Sequence, residues 1–266
     1  MTQIVAILNL TPDSFFDGGK YNDDENAIRH LEILLNSGAD IIDVGAESTR
    51  PNAVLIDAET ERKRLKNILP AIIAQVQKHN HKNQTNVAVS LDSRHFQTMS
   101  WALDLGVDII NDVSGFIDEK MIELAAQSGK KIVVMHNLGV PASRNKIVDP
   151  TLDIVQVLIE WMENKLIVLQ KAGVKKSQII FDIGLGFGKN AAQSIQLLKE
   201  VDRLRILDLP LYVGHSNKSF LDEWQIDNCQ TREEKTVFIS AYLMAKNVEY
   251  LRVHNVAANI VSTAKN

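Results

Sequence analysis

Carboxylates, carboxamides, imidazoles and a guanidinium recur at one kind of position in this 266-residue chain, the last residues of short apolar runs. They are Asn9, Asp43, Asp92, Asn111 with Asp112, His136, Asp182, and Arg252 with His254. Such a set can match the donors and acceptors of a polar heterocycle and hold an anion beside it. Asp182 opens the stretch FDIGLGFGKN, where three glycines and a lysine invite comparison with a phosphate-binding P-loop. The comparison fails: that loop needs glycine five residues before Gly-Lys and Ser or Thr after it, and here Ile183 and Asn190 stand at those places. Glycines after a strand instead let a ligand lie against the backbone, with Phe187 as an apolar or stacking wall. A carboxylate half out of water at Asp182 then calls for a pair of donors, such as the N–H and amino edge of a guanidine-like ring.

A second group suits an anion. The stretch VGHSNKSF places Gly214, Ser216, Lys218 and Ser219 at what reads as a helix N-terminus. Arg252 and His254, two apart on a strand, share one face and can clamp a diphosphate.

The elements that must position these groups are regular. Strand-like runs read Ile4 to Leu10, Asp40 to Gly45, Val87 to Asp92, Asp108 to Val113, Lys131 to His136, Gln178 to Ile183, Leu209 to Gly214 and Tyr250 to His254. Each is apolar nearly throughout, as a strand covered on both faces must be. Between them lie stretches such as AIRHLEILLNSG, LDIVQVLIEWMENKLIVLQKAG and REEKTVFISAYLMAKN, with helical period and frequent closing glycines. Eight such units in one chain of this length predict a single-domain α/β protein spanning 1–266, a (β/α)8 TIM barrel, with a doubly wound open sheet as the alternative. In a barrel all the polar strand ends open onto one mouth, where active sites of this fold lie.

Composition narrows the partner. An apolar share of 45%, a formal charge of -4 and a pI near 6.0 give no basic surface for nucleic acid or an acidic membrane face, which favours a small molecule. The single cysteine, Cys229, excludes an internal disulfide framework and a cysteine-rich zinc site, and fits a reducing cytoplasm. No export signal or membrane-spanning run is expected from the N-terminal sequence or from any apolar segment. The isolated His30, His79, His81 and His95 read as surface residues, Trp101, Trp161 and Trp224 as packing, and KHNHKNQTN as a polar connector.

Across nearly its whole length the chain resembles the dihydropteroate synthase family. The resemblance rests on ILNLTPDSFFDGG, GADIIDVGAESTRP, SLDS, DIINDVSG, VVMH, GLGFGK, KSF and LRVH, in that order. It implies a transferase that condenses 6-hydroxymethyl-7,8-dihydropterin diphosphate with p-aminobenzoate in folate biosynthesis, and that sulfonamides inhibit. It implies a pterin pocket of Asp92, Asn111, Met135, Asp182, Gly214 and Lys218, with Asp182 on the guanidine-like edge. Asn9, Arg252 and His254 correspond to the diphosphate site, with Asn9 also a ligand for Mg²⁺. Thr49, Arg50, Pro51, Phe187 and Ser219 would face p-aminobenzoate, and the loop NLTPDSFFDGGKYN would be a lid with Asp13 and Phe15 as contacts. Catalysis would fall to Asp92, Lys218, Arg252 and His254, and the family suggests a homodimer through outer helices. Two related readings are a methyltetrahydrofolate-type corrinoid methyltransferase barrel and a pterin-binding homologue without turnover.

Four positions depart from the family pattern. Asn217 stands for the arginine of Ser-Arg-Lys-Ser, Ile183 for a proline, Asn255 for an aspartate and Ala46 for a glycine. The first removes a positive charge near the aryl-acid end, for which His215 or Arg50 would be the compensating cation.

Overall fold

The computed structural model describes residues 1–10, 23–49, 53–143 and 145–261. Eight parallel strands close into a barrel in chain order, each bonded to its sequence neighbours and the last to the first. They are β1 (Gln3–Asn9), β2 (Ile41–Gly45), β3 (Ala88–Asp92), β4 (Ile109–Asp112), β5 (Lys131–Met135), β6 (Ile179–Asp182), β7 (Leu211–Val213) and β8 (Tyr250–Val253). The barrel, and not the open sheet, is therefore the fold.

Helices fill the crossovers: α1 (Asp23–Asn36), then α2 (Ala58–Leu65) and α3 (Ile68–Asn83) between β2 and β3, α4 (Phe96–Leu105), α5 (Glu119–Ser128), α6 (Ile154–Lys171), α7 (Ala191–Lys199) and α8 (Arg232–Ala245). The six-residue α9 (Val256–Val261) follows β8. Side-chain caps start several of them; Asp57, Asp118 and Asp153 each accept from a first-turn N–H, and Thr231 with Glu234 forms a reciprocal box at α8. The stretch KHNHKN is not a connector but the end of α3, closed by Gln84 in the left-handed region. Asn80 holds the turn that follows, its Oδ1 accepting from Val87 N–H at 2.8 Å and its Nδ2 donating to Val87 O at 2.9 Å.

The strands carry two apolar layers. Ala6, Leu8, Ile42, Val44, Leu91, Ile110, Val134 and Phe181 face outward into a core shared with the helices. Val5, Ile41, Ile109, Val133, Ile180 and Tyr212, with Ala88 and Tyr250 against them, fill the interior. Because side chains alternate across a strand, the residues two and four places beyond this interior layer also point inward. Those residues are Asn9, Asp43, Asp92, Asn111, Met135, Asp182, Gly214, Arg252 and His254. These polar strand ends follow from one parity rule, the interior being apolar at its floor and polar at its mouth; Asp112 and His136 have the opposite parity and face away from the mouth, Asp112 accepting from Ser114 and Phe116 N–H and His136 packing on Trp161.

Candidate active site

Arg252 stands at the centre. Its Nε donates to Asp43 Oδ2 at 2.7 Å and its Nη2 to Asp92 Oδ2 at 3.1 Å, and Asn111 Nδ2 lies 3.2 Å from both oxygens of Asp43. Asp43 is fully buried, so this strand-end carboxylate, given no site role from the sequence, anchors the guanidinium and orients the carboxamide of Asn111. Burial pushes the Asp92 carboxyl up to about 8, Asp43 and Glu61 adding to the effect and Arg252 opposing it. Glu61 reaches in from α2, where its Oε2 accepts the Ser93 hydroxyl at 2.7 Å, and burial raises it to about 7.

Around Asp182 the chain turns sharply. The Asp182 Oδ1 accepts from Gly184 N–H at 2.8 Å, and burial raises this carboxyl while Lys218, Arg252 and Lys189 hold it down. Gly184 has φ +60, and a Cβ there would lie 1.9 Å from His136 O, so only glycine fits. Lys218 donates to Leu185 O and sits over the Phe187 ring, 5.2 Å from its centroid. Burial lowers Lys218 to about 8, with Asp182 resisting. Met135 is buried and pairs with Asp182 across β5 and β6, as a floor residue would. Asp182, Lys218 and Phe187 are therefore brought together as expected, with Asn111 and Asp92 on the far side of Arg252.

At the anion end, Ser216 Oγ lies 2.9 Å from His254 Nδ1 and accepts from His254 N–H at 3.2 Å, so Ser216 orients an imidazole that is exposed to the mouth. A Cβ on Gly45 would lie 3.5 Å from Asn9 Oδ1 and 3.8 Å from Asp92 Oδ2, which puts the amide oxygen of Asn9 and the Asp92 carboxyl on either side of a residue without a side chain. Gly214, similarly bare, lies beside the Arg252 stem.

Two expectations here need correction. Ser219 does not begin an α-helix: it opens a single 3-10 turn, Ser219–Asp222, and α8 starts at Arg232, where the Thr231 box supplies the cap. His215 does not compensate for Asn217. Its Nε2 faces Ser240 Oγ at 2.9 Å and Thr236 O at 3.2 Å, and burial lowers it to about 4, so it is neutral. Asn217 is exposed with φ 57, a left-handed conformation that asparagine tolerates well, and its N–H donates to Thr236 Oγ1 at 3.2 Å.

The outer wall is a set of joined loops. Glu47 takes a two-point contact from Arg94, at 2.8 and 3.1 Å, and accepts from Ile56 N–H at 2.9 Å. His95, expected to be a surface residue, is half-buried with Nε2 3.0 Å from Ile56 O. Thr49 O accepts from Ala142 N–H at 3.3 Å, tying the loop after β2 to the loop after β5. Asp13, Phe15, Arg50 and Pro51 lie outside the described residues. Because Arg94 fixes Glu47 and hence the approach to Thr49, Arg94→Leu is expected to loosen this wall and weaken a ligand bound on its side of the mouth on the order of tenfold, as direct titration would show.

Sequence reasoning named Asp43 as a strand end and Ser216 in the anion group without the partner of either, and missed Glu61 and the role of Lys189. Glu61, Ser216 and Lys189 act on partners 32 to 53 residues away in the chain, a relation no local spacing encodes.

A barrel with a heterocycle-sized set of carboxyl, carboxamide and ammonium groups at its C-terminal mouth defines a class of ring-binding enzymes, and the chain belongs to one such family: the model for pterin-binding enzymes matches residues 5–254. Among its relatives, dihydropteroate synthase of Streptococcus pyogenes serotype M3 is 36% identical over 96% of this chain and 91% of that protein. A probable bifunctional folylpolyglutamate synthase/dihydropteroate synthase of Haloferax volcanii is also 36% identical, over 98% of this chain, which spans only 30% of that longer protein. The crystal structure of dihydropteroate synthase from Anaplasma phagocytophilum with bound 6-hydroxymethylpterin-monophosphate superposes with a TM-score of 0.86 at 40% identity, covering 99% of this chain and 97% of that one. The Yersinia pestis dihydropteroate synthase in a sulfonamide drug complex gives 0.85 at 30% identity, covering 99% and 92%.

Proposed function

We propose that this chain is a dihydropteroate synthase, joining 6-hydroxymethyl-7,8-dihydropterin diphosphate to p-aminobenzoate with release of diphosphate. The observation that carries the reading is the single mouth where Asp182 and Lys218 sit beside Arg252, Asp92 and Asn111. Asp182 takes the amino and N–H donors of the pterin, Lys218 donates a hydrogen bond to a ring acceptor, and Asn111 and Asp92 meet the remaining edge. Met135 and Gly214 bound the ring, and Phe187, Thr49 and Ser219 face the aryl acid.

The chemistry exchanges a C–O bond for a C–N bond. As the leaving diphosphate gains charge, Arg252 and His254 stabilise it, the guanidinium exchanging part of its contact with Asp92 for phosphate oxygens. The pterin methylene becomes cationic, and the Asp92 carboxyl, held near its ionisation point by burial, meets that charge. The aryl amine attacks as a neutral nucleophile and its extra proton leaves to solvent or diphosphate, so no strong base is required.

The donor set suits Mg²⁺ carried in by the diphosphate. Asn9 offers an amide oxygen across Gly45 from the Asp92 carboxyl, and among the described residues no cluster of three or more His, Cys, Asp or Glu forms an all-protein cage. Asn9 would hold the ion, whose chemistry is to neutralise the leaving group. Among the described residues no helix is long and apolar enough to cross a membrane. We take the compartment to be the cytoplasm and the assembly to be a homodimer through the outer helices.

Reaction of the purified protein with both substrates and Mg²⁺, followed by chromatography, is expected to yield 7,8-dihydropteroate; its absence would overturn the reading. A pH profile adds detail. Ionisation of Asp92 makes the acid limb of kcat/KM for the dihydropterin substrate and loss of the Lys218 proton the basic limb, both near pH 8. The optimum is therefore expected close to pH 8, and Lys218→Arg, which cannot deprotonate there, should remove the basic limb alone.

A further inference from the structure

The lysine of GLGFGK has no role in the chemistry above, yet its placement is specific. Lys189 is only 6% exposed. Its Nζ donates to Gly184 O at 2.9 Å, Phe187 O at 3.1 Å and His136 O at 3.3 Å, and lies 2.8 Å from His136 Nδ1. Four acceptors around three ammonium protons leave no donor for a ligand, so the group is not itself a phosphate contact. It gathers the carbonyls of its own loop and binds them to the residue after β5. A Cβ on Gly188 would come within 2.5 Å of Leu138, so the loop also rests directly on the segment that follows His136.

We propose that Lys189 is the positioning residue for the two substrate walls, folding the β6–α7 loop around its ammonium so that Phe187 and Asp182 are held against Met135 and His136. Through Phe187 O it sets the wall that faces the aryl acid. Through Gly184 it sets the residue whose N–H holds the Asp182 carboxyl. His136 is the fixed partner. Burial and the nearby Lys189 lower its imidazole to about 2, so the ring is neutral and accepts at Nδ1, and its edge packs on Trp161 with ring centroids 5.0 Å apart. Burial lowers the Lys189 ammonium to about 7, with Asp182 resisting and Lys218 adding to the effect; in its charged form Lys189 stands with Lys218 and Arg252 among the cations that face Asp182, while Asp43 and Asp92 are the carboxyls nearest to Arg252. A neutral side chain of the same length would fill the space but remove the ammonium shared by three carbonyls and an imidazole nitrogen, leaving Gly184 O with only the Phe187 N–H at 3.1 Å.

The inference rests on the functional reading above, and its test separates the two. Lys189→Met is expected to raise the KM for dihydropterin diphosphate and for p-aminobenzoate on the order of tenfold each, because both walls are displaced. The kcat should stay within about threefold and the inhibition constant of inorganic diphosphate should not change, because the anion end at Arg252 and His254 does not touch the loop. Lys189→Arg, which restores the charge and donors, should recover part of the loss. If Lys189→Met does not fold, Lys189→Gln, a shorter neutral donor, is measured in the same way and should fall between the two. Direct titration with dihydropterin diphosphate reports the loss of affinity whether or not the chain turns over, so an inactive wild type would count against the function and not against Lys189. Folded neutral variants with both affinities within about twofold of wild type would overturn the proposal, as would a uniform loss in which diphosphate inhibition weakens equally.

Discussion

Replacing Asp182 by alanine is expected to weaken dihydropterin binding by at least ~100-fold while leaving inhibition by inorganic diphosphate intact. Asp182 is 8% exposed and its Oδ1 accepts from Gly184 N–H at 2.8 Å, which leaves acceptor capacity on the carboxylate for a ligand in the pocket. A guanidine-like edge docked against alanine would leave two donors unpaired in a partly dehydrated site, a loss of about 3 kcal/mol or more at typical values for charge-assisted bonds. Asp182→Asn should fail nearly as badly, because a carboxamide presents one donor where an acceptor is needed. Titration calorimetry with the dihydropterin checks both variants, and affinity close to wild type in either would remove Asp182 from the pocket.

Arg252→Met should have the second large effect, and on two observables. Activity is expected to fall on the order of 10³-fold, since the leaving diphosphate loses the cation aimed at it. Stability should fall by about 3 kcal/mol, because the buried Asp43 and the mostly buried Asp92 lose the hydrogen-bond and ion-pair partner they share. The pH dependence has a definite sign. Asp92 titrates higher in the folded protein than in the unfolded chain, so its contribution is fully present below about pH 4 and is lost as pH rises through about 8. Without Arg252 its folded value climbs further, and the stability deficit of the variant should widen from pH 5 to pH 9. Denaturation curves across that range test this; a deficit that narrows would mean that Arg252 does not govern Asp92.

Much of the barrel was legible because buried parallel strands leave a simple trace. The run ending at Asp92 ends where β3 ends, the run ending at Ile183 overshoots β6 by one residue, and the run Leu209 to Gly214 overstated β7, which covers only Leu211–Val213. Turn residues at either end of that run are apolar enough to pass for strand. The crossover between β2 and β3 received no reading of its own from the sequence; it divides into α2 and α3 at Lys66 and Asn67, and Pro70 lies in the first turn of α3.

The site was legible as a list of groups, and less so as a circuit. Parity places Asp92, Asn111, Asp182 and Arg252 inside the mouth from sequence alone. It does not say that Arg252 rests on Asp43, because that contact joins residues 209 apart and depends on barrel closure between β8 and β1. His215 shows the reverse error. Its type suggests a cation near Asn217, but in Val213–Gly214–His215 the side chain turns outward to α8, into a buried contact with Ser240 where it stays neutral. Ser219 was given a helix N-terminus on the rhythm of the fold, and the chain instead uses a 3-10 turn that keeps Lys218 pointed at Leu185 and Phe187.

The most direct test of the central claim is diphosphate release by the purified wild-type protein supplied with 6-hydroxymethyl-7,8-dihydropterin diphosphate and Mg²⁺, with and without p-aminobenzoate, and again with a sulfonamide added. The account predicts release that requires p-aminobenzoate and that the sulfonamide suppresses. Dihydropterin binding without any p-aminobenzoate-dependent release would contradict it, and would make the chain a pterin-binding barrel in which Asn217, at the position where the family resemblance implies arginine, is the first residue to revert.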